Sequence, residues 1–388
     1  MKVAVTENIK YIGVDDVTLD LFESQYVIPE GVSYNSYVIL DEKIAVMDTV
    51  DKRGMEEWEA RLLEELDGRK ADYLVIHHLE PDHAGSIARL VELFPEVTLV
   101  GNAKTFAMLP QFFELAPEVK KLEVKEGDSL SLGTHTLSFY MAPMVHWPEV
   151  MVSYESSEKV LFSADGFGKF GALEKTEGED WACEARRYYF NIVGKYGAPV
   201  QGLLKKAAGL DIACICPLHG PVLKENLGYY IGLYDTWSSY KPESEGVLIA
   251  YASIHGNTAK AAEMLGEMLR ERGVQKVVVS DLAREDMAEV IEDAFRYDRM
   301  VVAAASYDGG VFPCMQDFLH HLQSKAYQNR KVAIVENGSW GPTAARTMKA
   351  ILETMKNLEL VEPQVTIRST VKEADIENLK ALADALSK

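Results

Sequence analysis

No stretch of about 18 uncharged apolar residues occurs in the 388-residue chain, which argues against a membrane span. The opening, MKVAVTENIKYIGVDD, lacks an apolar core of signal-peptide length, so a cytoplasmic location is expected. Basic charge is scarce: 40 Lys and Arg against 60 Asp and Glu leave a formal charge of −20. A general nucleic-acid or anionic-membrane surface needs a basic patch, so neither partner is expected. Cysteine is scarce too. Cys183, Cys214, Cys216 and Cys314 are irregularly spaced for a disulfide framework, and no CxxC pair exists. That excludes a zinc ribbon and a fused rubredoxin-type iron site. Cys214 and Cys216 flank Ile215 in an apolar run and read as a buried strand. What remains is an ordinary globular composition, 47% hydrophobic and 26% charged, with length enough for two cores.

The first half carries short apolar strands separated by turns: SYVIL (36–40), KIAVMDT (43–49), YLVIHH (73–78), HTLSFYMAP (135–143) and KVLFSAD (159–165). Amphipathic helices are expected over 55–66 and 86–94, where apolar residues recur at three- and four-residue spacing. The mixture suggests stacked sheets flanked by helices. A polar stretch, YKPESEG (240–246), reads as a linker. Beyond it the rhythm becomes strict strand–helix alternation, with strands at 247–253, 276–280, 300–306, 331–337 and 364–369. Near-continuous apolar strands with crossover helices describe a doubly wound parallel sheet.

The first of these strands ends in SIHGNT, comprising Ser253, Ile254, His255, Gly256, Asn257 and Thr258, followed by a helix. Glycine permits close backbone approach to an anion, the polar side chains donate hydrogen bonds, and the helix N-terminus supplies free N–H groups. The loop has no lysine, which suits a phosphate monoester held without metal. A capped helix start with no ligand is the plainer reading of this loop alone. Two more strand ends add to it: Ser306, Tyr307, Asp308, Gly309 and Gly310, and then Asn337, Gly338, Ser339 and Trp340. These aromatic, glycine-rich loops lie at the strand carboxyl ends, where open α/β sheets bind ligands. Residues 246–388 resemble flavodoxin, which implies FMN.

In the first half, HHLEPDHAGS (77–86) gathers His77, His78, Glu80, Asp82 and His83. On an extended segment, side chains at i, i+2 and i+4 face one way. His78, Glu80 and Asp82 would then converge, with His83 behind them and His77 pointing away as a structural residue. Downstream, His146, Asp165 and His219 each follow a strand. Any one alone is bland, but the set H-x-E-x-D-H followed by H, D and H resembles the metallo-β-lactamase superfamily. Zinc hydrolases of that superfamily usually have His at the position of Glu80. The carboxylate makes the site harder and more anionic, better suited to a redox-active di-iron pair than to dizinc.

Joined to the flavodoxin-like half, this pattern resembles the flavodiiron proteins, or A-type flavoproteins. The resemblance implies a metallo-β-lactamase-like αβ/βα sandwich over 1–245 and a flavodoxin-like domain over 246–388. It implies one iron on His78, Glu80 and His146, a second on Asp82, His83 and His219, and Asp165 bridging. Trp147, Tyr196 and, more weakly, Tyr26 are expected near that site or in aromatic packing. The implied activity is reduction of O2 to water, of NO to N2O, or both, with electrons relayed through FMN. A separate rubredoxin-type donor or reduced F420 would supply them. A head-to-tail homodimer, or a dimer of dimers, is implied as well. The alternative is a dizinc metallo-hydrolase with an accessory flavodoxin-like domain, which Glu80 disfavours.

Overall fold

The computed structural model describes residues 3–388; Met1 and Lys2, at the head of the stretch read for a leader, lie outside the described residues. The chain forms two compact units. The first runs to Tyr189 and resumes over Ala198–Asp235, while the second comprises Phe190–Gly197 and Thr236–Lys388. Phe190 stacks on Phe295 with ring centroids 4.2 Å apart, and the Tyr240 hydroxyl accepts from the Gly197 N–H, so the short excursion packs with the second unit. The polar stretch at 240–246 is partly strand, because pairing begins at Ser244.

The first unit is built on two sheets. One orders β1 (Ile9–Tyr11), β2 (Tyr37–Ile39), β3 (Ala45–Met47), β4 (Tyr73–Val75), β5 (Thr98–Gly101) and β6 (Lys120–Glu123) side by side. The first three run antiparallel and the rest parallel. The other orders β7 (Ser129–Ser131), β8 (Thr136–Met141), β9 (Met151–Glu155), β10 (Val160–Phe162) and β11 (Cys214–Cys216). Alternation sets its inner face: along β8, Leu137 and Phe139 are buried while their neighbours are half exposed. Tyr37, Met47 and Val75 from one sheet meet Phe139, Met151 and Phe162 from the other in a single core. Burying each such side chain contributes about 1.5–3 kcal/mol. Cys214 and Cys216 lie in that core as buried free thiols. The segments that follow β4, β10 and β11, and the loop between β8 and β9, carry His78 to His83, Asp165, His219 and His146.

The second unit is a parallel sheet of β12 (Ser244–Ala252), β13 (Val277–Asp281), β14 (Tyr297–Tyr307), β15 (Arg330–Asn337) and β16 (Leu358–Ile367), in the order β13-β12-β14-β15-β16. Val247, Ile249, Val301 and Val335 are buried along the strands against the helices Asn257–Glu271 and Glu373–Leu386. The order reverses between β12 and β14, and the crevice beyond their carboxyl ends is where such a sheet takes a ligand.

Candidate metal centre and cofactor cavity

His78 sits just beyond β4, fully buried. The extended geometry expected for the next residues gives way to a helical turn. Pro81 occupies the first position of the short helix Pro81–Ala84, with Glu80 at its N-cap. Proline's fixed φ suits that position, so the chain turns immediately after Glu80. Asp82 therefore does not join His78 and Glu80 but swings with His83 into a second group. The two groups are His78, Glu80, His146 and Asp165, and Asp82, His83 and His219; within each, donor atoms lie within 4.8 Å of one another.

Asp165 links them. Its Oδ2 lies 3.4 Å from His78 Nε2 and 3.2 Å from His146 Nε2, while its Oδ1 lies 3.1 Å from His83 Nε2 and 4.0 Å from His219 Nε2. Glu80 Oε2 is 3.2 Å from His78 Nε2 and 3.0 Å from His146 Nε2. Asp82 Oδ2 is 3.4 Å from His83 Nε2 and 3.2 Å from His219 Nε2. Burial lowers the proton affinity of His78 and His146, but Asp165 and Glu80 outweigh it. His146 is raised to about 9 and His78 well above its ordinary value. Asp165 and Glu80, whose burial would raise them, are instead held below the carboxylate range by the imidazoles around them. Such a field favours positive charge between these side chains.

The ring orientations come from groups behind the site. His78 Nδ1 is 2.7 Å from Glu149 Oε1, which also accepts from the Leu79 N–H at 2.9 Å. His219 Nδ1 donates to the Ser33 carbonyl at 2.7 Å. Both rings consequently aim Nε2 inward. Asp82 Oδ1 and Oδ2, Asp165 Oδ2 and His219 Nε2 are buried with no hydrogen-bond partner among the described residues. Buried polar atoms left open in this number and convergence fit a bound cation pair. The donor set of four imidazoles and three carboxylates suits iron.

His77 is turned away, as expected, with Nδ1 2.5 Å from Asp48 Oδ2 and Nε2 2.7 Å from Ser153 Oγ. Trp147 meets His78 edge-on at 5.1 Å. Tyr26 is buried and packs on Phe170 at 6.1 Å, while Tyr196 falls in the segment that belongs to the second unit. Sequence reasoning missed Glu149, Ser33 and Phe22, the last edge-on to His219 at 5.4 Å. Glu149 carried a signal, standing three residues after His146 in HWPE. Ser33, which acts through a backbone carbonyl, carried none.

In the second unit a cavity of about 510 Å³ opens at the switch point of the sheet. Ser253, Ile254, His255, Asn257 and Thr258 line one side, Ser306, Tyr307, Asp308 and Gly309 a second, and Asn337, Gly338, Ser339 and Trp340 a third. Gly256 precedes the helix with φ +84°, a left-handed conformation that glycine adopts freely. The first residues of that helix, Asn257 and Thr258, line the cavity, and a helix start has free N–H groups that suit an anion. Gly310 pairs back onto Tyr307 and shapes its loop. Trp340 is 95% exposed and Tyr307 45%, large aromatic surfaces that an isolated unit would normally cover. A phosphate cradle beside two open aromatic faces fits FMN. Ser369, unforeseen from sequence, completes the rim and exchanges hydrogen bonds with Asn337 at 2.9 and 3.0 Å.

Comparison with known proteins agrees with both halves. The model of the ODP family beta lactamase matches residues 32–220, and that of a flavodoxin domain matches 248–366. The chain is 28% identical to rubredoxin-oxygen oxidoreductase of Megalodesulfovibrio gigas, over 99% of this chain and 97% of the relative. It is 28% identical to nitric oxide reductase of Moorella thermoacetica, over 97% and 95%. The solved structure of rubredoxin oxygen:oxidoreductase from Desulfovibrio gigas superposes with a TM-score of 0.92 at 26% identity, covering 100% of this chain and 98% of that one. With a bridged group of histidines and carboxylates in one unit and a flavodoxin-type cavity in the other, the chain belongs to the flavodiiron proteins.

Proposed function

We propose that this protein is an oxidoreductase that reduces O2 to water, NO to N2O, or both, with electrons passing through FMN. In this reading His78, Glu80 and His146 hold one iron, Asp82, His83 and His219 hold the other, and Asp165 bridges them. The observation that carries it is Asp165, whose two oxygens turn one to each group of donors. A ferrous pair supplies electrons and Lewis acidity to a small oxidant, and FMN exchanges electrons singly with the donor.

The side chains have separate tasks. Glu149 and the Ser33 carbonyl keep the Nδ1 protons of His78 and His219 on the outer side, leaving the Nε2 lone pairs for metal. Three carboxylates, Glu80, Asp82 and Asp165, offset most of the charge of two divalent ions. Trp147, Phe22 and Tyr188 surround the imidazoles with aromatic surface and limit water there. Ser253, Asn257, Thr258 and the helix start hold the flavin phosphate, and Tyr307 and Trp340 flank the ring.

The donor in this proposal is a rubredoxin-type protein, with reduced F420 as the other candidate. The working assembly is a head-to-tail homodimer or a dimer of dimers, and the location is cytoplasmic. Among the described residues, no helix is long and apolar enough to cross a membrane. The deciding experiment is anaerobic turnover of iron- and FMN-loaded protein with reduced rubredoxin, comparing kcat/KM for NO and O2. Absence of turnover with either oxidant, in protein carrying full iron and FMN, overturns the reading. Tightly bound zinc in active protein would favour the dizinc hydrolase instead.

A further inference from the structure

The β8–β9 hairpin that presents His146 at one end gathers a second set of donors at the other. The register runs from Met141 opposite Met151 to Leu137 opposite Glu155. Four residue steps at about 3.3 Å each put the two ends roughly 13 Å apart.

At this far end His135 is 3% exposed. Asp41 Oδ2 accepts from both its backbone N–H at 2.6 Å and its ring Nδ1 at 2.7 Å. A carboxylate placed there fixes the tautomer with the proton on Nδ1 and leaves the Nε2 lone pair facing the opposite way. This is the arrangement that Glu149 imposes on His78 at the other end. His135 Nε2 makes no hydrogen bond among the described residues. It lies 3.7 Å from Glu158 Oε1, and the Glu155 carboxylate completes a group whose donor atoms all lie within 4.8 Å of one another.

Glu155 is fully buried, and its oxygens accept from the Ser157 N–H at 2.8 Å and the Glu158 N–H at 2.7 Å. Those bonds hold its carboxylate in place. Glu158 is held from the other side by the Thr6 hydroxyl and, at 3.2 Å, by Asn8 Nδ2. An imidazole lone pair directed at two fixed carboxylates is repulsive unless a proton or a cation lies between them. Bonds of about 2.0–2.2 Å around tetrahedral zinc set ligand atoms about 3.4 Å apart, close to the His135–Glu158 separation.

We propose that His135, Glu155 and Glu158 bind one divalent transition-metal ion of the zinc class, independent of the iron pair. The ion clamps the turn after β9 to the N-terminal segment at Thr6 and Asn8. One imidazole and two carboxylates make a borderline-hard donor set, and a water completes the coordination. The role is structural: binding to the folded chain alone stabilises it by mass action.

The test uses protein loaded with iron and FMN, mixed with excess zinc(II) and freed of loose metal by gel filtration. One zinc per chain is expected beyond an unchanged iron content, with slower amide exchange at Thr6 to Tyr11. His135→Gln and Glu158→Gln should each lose that equivalent while retaining iron and FMN. Glu158 is the more exposed ligand, so its variant guards against misfolding at the buried histidine. No retained zinc in wild type, or as much zinc in both variants as in wild type, overturns the site. A nitrogen-15 spectrum with protons on both ring nitrogens of His135 in the zinc-treated protein would do so as well, since a proton then takes the place of the metal.

Discussion

His219 Nε2 lies 3.2 Å from Asp82 Oδ2, and neither atom makes a hydrogen bond among the described residues. Because His219 Nδ1 donates to the Ser33 carbonyl, Nε2 is the ring atom turned to the carboxylate. A metal ion between the two would be held by both. His219→Ala is therefore expected to lower iron from two to about one per chain, with turnover falling at least about tenfold. FMN content should not change. Iron and flavin analysis of one preparation decides it, and a full complement of iron would remove His219 from the metal site.

Glu149 is expected to matter nearly as much without touching metal. It is fully buried, and its Oε1 accepts from both His78 Nδ1 and the Leu79 N–H. Glu149→Gln replaces a carboxylate by a weaker acceptor and loosens the orientation of His78. Outer partners of this kind change metal affinity or activity by about 10–100-fold. Iron release to a chelator should accelerate within that range, while the melting temperature moves little. Release at the wild-type rate would mean that packing alone holds His78.

How far the sequence revealed these sites depended on how each residue acts. The metal donors stood out only as a set, because a His or Asp after a strand is bland alone. Asp165 and His219, far from His78 in sequence, were picked through the resemblance of H-x-E-x-D-H followed by H, D and H to the metallo-β-lactamase superfamily. The route by which they converge was less visible. Alternation along an extended segment groups Asp82 with His78, yet Pro81 starts a helical turn that sends Asp82 and His83 to the other group. Proline at a helix start and proline in a loop look alike in sequence. In the second unit, uninterrupted apolar strands made the parallel sheet plain, and the loops at its carboxyl edge followed. Ser33 and Ser369 were invisible, since one works through its carbonyl and the other through a fold-dependent pairing with Asn337.

The flavin site makes its own prediction. Asn257 opens the helix Asn257–Glu271 on the rim of the cavity. Asn257→Asp places a negative charge where the helix dipole otherwise favours the bound anion, a loss of about 1 kcal/mol or roughly fivefold in FMN affinity. Iron content should stay at the wild-type value. Fluorescence titration of the apoprotein with FMN measures the change. Equal affinity in both proteins would place the phosphate elsewhere.

Lys169 provides a pH dependence of known sign. Its side chain is 2% exposed, and its nearest carboxylate, Glu179 Oε2, is 3.9 Å away, beyond hydrogen-bond reach. Burial lowers its amine below the ordinary lysine value, with Glu179 opposing. Between that lowered value and about 10.4 the unfolded chain binds more protons than the folded one, so stability rises with pH in that window. At neutral pH the buried ammonium is a net cost. Lys169→Met should raise stability at pH 7 by about 1 kcal/mol and flatten the alkaline rise. Urea unfolding at pH 7 and pH 10 reads both effects. A destabilised variant would show that the Glu179 contact outweighs the burial.

Glu80 makes the sharpest chemical prediction. Its Oε2 lies 3.2 Å from His78 Nε2 and 3.0 Å from His146 Nε2. Glu80→His would restore the H-x-H-x-D-H pattern of the zinc enzymes and remove one negative charge, leaving Asp82 and Asp165. Fewer negative charges raise the potential of bound iron and make zinc a stronger competitor. The backbone should tolerate the change, because Glu80 precedes the helix and its side chain makes no cap hydrogen bond. Zinc should displace iron in protein grown with both metals, and oxidant reduction should fall by more than about tenfold. FMN content should persist, since that cavity lies in the other unit. Metal analysis and turnover on the same sample test the chain of reasoning in order. A variant that keeps two irons and near-normal turnover would mean that the carboxylate at this position does not select the metal.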